Sequence, residues 1–141
     1  MTVAIMTDSH SEKDITINSS VENLTYVEKE IETIFDDFSY DQEHFGNVLI
    51  AVTEAVNNAV HYGNQEDVTK LVNINFSSVK NKLMVTIKDQ GDGFDYDALP
   101  DPTDPNNLEK LEGRGIFLMK HLSDSIEFSD NGSKVKMVFN F

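Results

Sequence analysis

The run Leu83-Met84-Val85-Thr86-Ile87 has the apolar, β-branched content of a buried strand. It leads through Lys88 into Asp89-Gln90-Gly91-Asp92-Gly93, an acid followed by a turn with two glycines. Upstream, Glu54, Asn57 and Asn58 lie in a stretch with helical periodicity. Downstream, Gly113-Arg114-Gly115 opens a second helix-like stretch. Glycines let backbone approach a ligand closely or adopt positive φ. A carboxylate and an amide four residues apart share one helix face. In this order along the chain, the three segments point to a nucleotide–magnesium site.

The remaining pattern supplies a frame for them. Asp14 to Asn18 alternates like a short half-buried strand, and Met1 to Lys13 is polar and expected to be flexible. Ser20 can cap a helix whose apolar stripe is Val21, Leu24, Val27, Ile31, Ile34, Phe35 and Phe38. A second helix is expected from about Asp41, with Phe45, Val48, Leu49, Val52, Val56, Ala59 and Val60 inward and Gly63 at its end. Leu71–Val79 and Lys82–Lys88 read as a hairpin joined at Lys80-Asn81. After the Asp-, Pro- and Asn-rich segment, a helix Ile116–Leu122 precedes strands Ser125–Ser129 and Lys134–Phe141, with a two-residue turn expected at Asn131-Gly132. The order predicts an α+β fold: a two-layer α/β sandwich whose mixed, mostly antiparallel sheet carries helices on one face.

At 141 residues, 39% of them hydrophobic, the chain suits a single domain with a real core. No apolar run approaches the roughly 20 residues needed to cross a bilayer. No basic-then-apolar leader is seen, and there is no cysteine, which excludes disulfides and thiolate zinc. A cytoplasmic protein is expected. The formal charge of −14 speaks against general nucleic-acid binding and against an anionic membrane surface. A triphosphate bound to such a chain needs a recruited cation, most simply Mg²⁺. Much of the charge serves equally as a solubilising surface.

Each segment has two readings when taken alone. Asn58 can offer an amide oxygen to Mg²⁺, a hard cation, and Glu54 can act as general base on a hydroxyl or water; the same residues can form a solvated helix face. Asp89 can accept a hydrogen bond from an exocyclic amine such as that of adenine, and it can equally begin an ordinary turn. The N–H groups at the Gly113-Arg114-Gly115 helix start can bind phosphate, with charge from Arg114 or Lys110, or the segment is a loop end. Neither paired histidine spacing nor a phosphate-loop signature is present.

Together, Glu54-Ala55-Val56-Asn57-Asn58-Ala59-Val60-His61, Asp89-Gln90-Gly91-Asp92-Gly93-Phe94 and Gly113-Arg114-Gly115-Ile116-Phe117-Leu118-Met119 resemble the N box and the two glycine boxes of the GHKL ATPase superfamily. Within it they are similar to the small bacterial anti-sigma-factor serine kinases. The resemblance runs from about Asp14 to Phe141. It implies a Bergerat-type ATP-binding fold spanning the whole chain as one histidine-kinase-like ATPase domain, with residues 94–112 as ATP lid. It implies ATP and Mg²⁺ as cofactors, Glu54 as general base, Asn58 as metal ligand and Asp89 as the adenine-reading residue. Asn57, Gly91, Gly93, Gly113, Arg114, Gly115 and Ile116 would form the nucleotide pocket. Ile116 stands where relatives commonly carry leucine, and the lid segment has few basic residues. The activity implied is a serine/threonine protein kinase that phosphorylates an anti-sigma-factor antagonist, binds a sigma factor and forms a homodimer. Two other readings remain: a nucleotide-dependent binding module without turnover, and a detached histidine-kinase-type ATPase module. The second lacks room for a helical phospho-accepting histidine.

Overall fold

The computed structural model of the chain describes residues 10–92 and 114–141. Gly93, Gly113, the expected lid at 94–112 and residues 1–9 lie outside the described residues, as does the side chain of Arg114. The elements are β1 (His10–Asn18), α1 (Leu24–Asp37), α2 (Phe45–Asn58), β2 (Leu71–Val79), β3 (Lys82–Lys88), α3 (Arg114–Leu122), β4 (Ser125–Ser129) and β5 (Lys134–Asn140). The strands form one sheet in the order β1-β2-β3-β5-β4, and every neighbouring pair is antiparallel. The fold is the expected α+β sandwich, with the sheet antiparallel throughout its described strands.

Alternation along the strands decides which face is covered. Ile15 and Ile17, Val72, Ile74 and Phe76, Leu83, Val85 and Ile87, and Val135, Met137 and Phe139 are all buried. They meet Val27, Ile31, Ile34 and Phe35 of α1, Val48, Ala51, Val52, Ala55 and Val56 of α2, and Ile116 and Met119 of α3. The outward residues of the same strands are polar or half-exposed, so only one face carries helices. The short 3₁₀ turns that lead into both long helices start at side-chain caps: the Ser20 hydroxyl accepts from the Glu22 N–H at 3.3 Å, and the Asp41 carboxylate from the Glu43 N–H at 3.0 Å. Val21 lies in a 3₁₀ turn ahead of α1 and is 43% exposed, outside the buried stripe. Among the described residues no helix is long and apolar enough to cross a membrane.

Two local expectations shift. Residues His10 to Lys13, read as part of the loose N-terminal segment, belong to β1 and pair with Val79 through Phe76. Their backbone hydrogen bonds complete an edge strand although Ser11 and Lys13 give no apolar inward pattern. At the β4–β5 hairpin, Ser129 pairs with Lys134, so the loop has four residues, not two. Asp130, Asn131 and Gly132 take φ of 53°, 59° and 94°. The Ser133 carbonyl accepts from the Asp89 N–H at 2.9 Å, which extends the β3–β5 ladder by one step.

Register places the two ends of β3 in different surroundings. Lys82 pairs with Asn140, so the start of β3 lies at the end carrying Phe141. There Phe35 makes edge contacts to Tyr40 and Phe45, and Tyr40 packs on Phe141. The aromatic end is closed. The opposite end, where Lys88 leads into Asp89, carries the polar residues described next.

Candidate active site

Helix α2 spends its apolar stripe on the sheet and turns its remaining face along α3. Glu54 and Asn57 are half-buried on that face, and Asn58 is 8% exposed. The first turn of α3 comes so close that a Cβ on Gly115 would lie 2.8 Å from Glu54 Oε2 and 3.1 Å from Asn58 Nδ2. A side chain at 115 would displace the Glu54 carboxylate, so glycine there leaves Glu54 and Asn58 in place. A cavity of about 640 Å³, lined by Glu54, Asn57, Asn58, His61, Tyr62, Glu66 and Gly115, opens beside it. That volume lies in the range of ligand pockets. His61 Nδ1 stands 3.3 Å from the Glu66 carboxylate on its wall. No cluster of three or more His, Asp or Glu side chains suited to a metal occurs among the described residues. Among the oxygen donors that line this cavity, the Asn58 amide oxygen is compatible with a Mg²⁺ that takes its other ligands from water and phosphate.

Asp89 lies just beyond β3 and is 5% exposed. Its Oδ1 accepts from the Gly91 N–H at 2.9 Å. Burial holds the carboxyl above the usual carboxylate range, opposed by the Gly91 hydrogen bond and by the charge of Lys70. A raised acid pKa means that folding is favoured by the protonated form. This contribution is fully present below about pH 4, the unfolded value, and is lost as pH rises through the folded pKa. Asp89→Asn removes the burial cost of the charge and keeps a carbonyl acceptor for Gly91. The ligand-free variant is therefore expected to melt no lower than the wild type at pH 7, and the stability difference between variant and wild type is expected to shift in the variant's favour as pH rises above about 4; thermal melts across pH check this. Around Asp89 lies a cleft of about 10 Å³, the room of a single water, bordered by Ala55, Asn58, Ala59, Ile87, Met119, Phe128 and Ser133.

The sequence-expected residues thus gather at the open end of the sheet. Glu54, Asn57, Asn58 and Gly115 line one cavity, and Asp89 with Gly91 lies at the adjoining cleft. Asn58 borders both spaces. Ile116 is not with them: its side chain is 4% exposed and belongs to the hydrophobic core under α3. Leucine at that position would fill the same kind of space.

Two contributors escape sequence reading. Gly63 was expected only as a helix end. Past Asn58 the chain makes a π turn over Ala59–Gly63, closed by a hydrogen bond from the Asn64 N–H to the Ala59 carbonyl at 2.8 Å. The wider turn carries Gly63 against Asp89, where a Cβ would fall 2.2 Å from Oδ2. Gly91 stacks on the same backbone, since its Cβ would lie 1.8 Å from the Gly63 carbonyl oxygen. The second contributor is Asn64, wholly buried. Its Nδ2 donates to Ser19 Oγ at 2.8 Å and to the Leu71 carbonyl at 3.0 Å, while its Oδ1 accepts from the Gln90 N–H at 2.8 Å. The one sequence signal for either residue is the Gly63-Asn64 pair itself, which reads as ordinary helix termination.

The family model of the histidine kinase-like ATPase domain matches residues 17–139. Among curated proteins, the serine-protein kinase RsbW of Staphylococcus aureus strain MSSA476 is 28% identical over 132 residues, covering 88% of this chain and 83% of the relative. RsbW of strain RF122 / ET3-1 is 26% identical over the same length and coverage. Among solved structures, the RsbU and RsbW domains of a Mycobacterium tuberculosis protein superpose with a TM-score of 0.64 at 13% identity. That match covers 92% of this chain and 32% of the other, so the chain spans about a third of that protein's crystallised length. It speaks for the fold. The match across nearly all of the chain, on the fold and motifs described above, makes the chain a member of the histidine kinase-like ATPase family, the GHKL superfamily, with RsbW serine-protein kinases among its relatives.

Proposed function

We propose that the chain is an ATP-dependent serine protein kinase of a partner-switching system, acting as an anti-sigma factor and transferring the γ-phosphoryl group to a serine on an antagonist protein. The observation that carries this reading is the position of Asn58, which borders both the cleft at Asp89 and the cavity at Glu54. A nucleotide laid past Asn58 would have its phosphates in the larger space and its base toward the buried carboxylate, where the single-water cleft has to widen to admit it. The relatives named serine-protein kinases support the choice of serine as acceptor.

The roles of the residues follow from their chemistry. Asp89 accepts a hydrogen bond from the adenine amine; a carbonyl at that position of the base would set acceptor against acceptor. Gly91 N–H holds one carboxylate oxygen, leaving the other for the base. Asn58 would hold Mg²⁺ through its amide oxygen, and the bound ion neutralises phosphate charge. Glu54, one helical turn from Asn58, takes the proton of the serine hydroxyl. Asn57 lines the phosphate side, and the α3 N-terminus at Gly115 would offer its backbone N–H groups to the anion. Gly93, Gly113 and Arg114 would complete the pocket, with residues 94–112 closing over it. A homodimer that binds a sigma factor is the assembly we propose, in a cytoplasmic setting.

Asp89→Asn is expected to weaken ATP binding roughly tenfold or more, because an amide nitrogen or a weaker acceptor replaces the carboxylate opposite the amine. Calorimetry checks this, and unchanged affinity removes Asp89 from the base site. The activity is tested by incubating the protein with Mg·ATP and an antagonist protein bearing the acceptor serine. Phosphoserine on the antagonist is the expected product. ATP binding and partner binding without phosphoserine identify a nucleotide-dependent binding module instead.

A further inference from the structure

Asp89 reads a base only if its carboxylate is aimed, and β3 has already ended at Lys88. What fixes the next residues comes from far along the chain. The Gln90 N–H is held by Asn64 Oδ1 at 2.8 Å, and the Gln90 side-chain oxygen accepts from the Leu71 N–H at 2.7 Å. Asn64 in turn is fixed by Ser19, whose hydroxyl also donates to the Lys70 carbonyl at 2.7 Å. The orientation of the Asn64 amide is set by these partners. Turned over, its oxygen would face the Leu71 carbonyl and its NH₂ would face the Gln90 N–H, so both bonds would become repulsions. A fully buried amide with both donors and its acceptor engaged has one position.

We propose that Asn64 is a positioning residue for base selection, locking the Asp89-Gln90-Gly91 turn so that the Asp89 carboxylate meets an amine and rejects a carbonyl. This rests on the reading of Asp89 as the base contact. Ser19 is the remote anchor of the same device, joining the end of β1 to the nucleotide turn. The residue acts on the choice of purine and not on phosphate chemistry, because its bonds reach the 89–91 turn and none reaches Glu54 or Asn58.

The test compares ATP with inosine triphosphate, which carries a carbonyl oxygen where adenine carries its amine. Wild type is expected to bind ATP at least roughly tenfold more tightly than inosine triphosphate, as a site that hydrogen-bonds one substrate group rejects the analogue lacking it. In Asn64→Ala that ratio is expected to fall by about tenfold, mainly through weaker ATP binding, with inosine triphosphate changed far less. In the Asp89→Asn background, Asn64→Ala is expected to change the ratio no further, which a merely structural residue would not produce. Where Asn64→Ala fails to fold, Ser19→Ala carries the test, with a smaller fall in the same ratio expected. A wild type that discriminates, together with variants that keep its ratio, overturns the role of Asn64 and leaves Asp89 as base contact. A wild type that does not discriminate overturns both.

Discussion

Glu54→Gln is expected to lower phosphoryl transfer to serine by roughly a hundred- to ten-thousand-fold while ATP affinity stays within about threefold of wild type. The substitution keeps the shape of a side chain that Gly115 approaches closely, where a Cβ at 115 would lie 2.8 Å from Glu54 Oε2. Packing between α2 and α3 is thereby preserved. What is lost is the capacity to accept a proton, and proton transfer matters only in the chemical step. Binding by calorimetry and turnover by phosphoserine formation separate the two effects. A Gln variant that transfers phosphate at the wild-type rate removes Glu54 as base. One that loses ATP binding to the same extent as activity places Glu54 in ground-state binding instead.

Gly63→Ala is expected to abolish most ATP binding, by about a hundredfold, although residue 63 touches no phosphate in the proposed site. The new methyl group would fall 2.2 Å from Asp89 Oδ2 and 2.3 Å from its Cγ, far inside contact distance. One of the two must move. The Asp89 main chain is held by Ser133 and its carboxylate by the Gly91 N–H, so the carboxylate is driven off its bond or Gly63 off its π turn. Either shift misaims the base contact. Gly46→Ala is the matched control: it lies in α2 with nothing within 4 Å of the added carbon. That control is expected to bind ATP normally and to gain about 0.4–1 kcal/mol of stability, because alanine loses less backbone freedom on folding than glycine does. Calorimetry on both variants decides. Equal losses in the two, or none in Gly63→Ala, would mean that the contact at Asp89 does not govern binding.

The readable parts of the fold are those in which one side chain announces its own environment. The stripes Val27, Ile31, Ile34, Phe35 and Val48, Val52, Val56 fix two helices and their buried faces. The alternation from Val72 to Phe76 and from Leu83 to Ile87 fixes a hairpin and places Asp89 at a strand end. Glu54 and Asn58 fall on one face by helical geometry alone. The parts that sequence reading left out depend on partners distant along the chain. His10 to Lys13 join the sheet through backbone pairing with β2, which no side-chain pattern records. Gly63 acquires its role only when the π turn sets it against a carboxylate 26 positions later, and Asn64 only when Ser19 and Gln90 arrive around it. Ile116, grouped with the nucleotide by its place in a motif, turns inward because α3 needs an apolar residue one step after Gly115.

The most direct test of the site is a crystal structure of the protein with Mg²⁺ and a non-hydrolysable ATP analogue. The adenine amine is expected within hydrogen-bond distance of the Asp89 carboxylate, with the metal on the Asn58 amide oxygen and the terminal phosphate on the Glu54 side of the cavity. A nucleotide bound with its base away from Asp89, or a metal held by residues other than Asn58, would contradict the proposed arrangement.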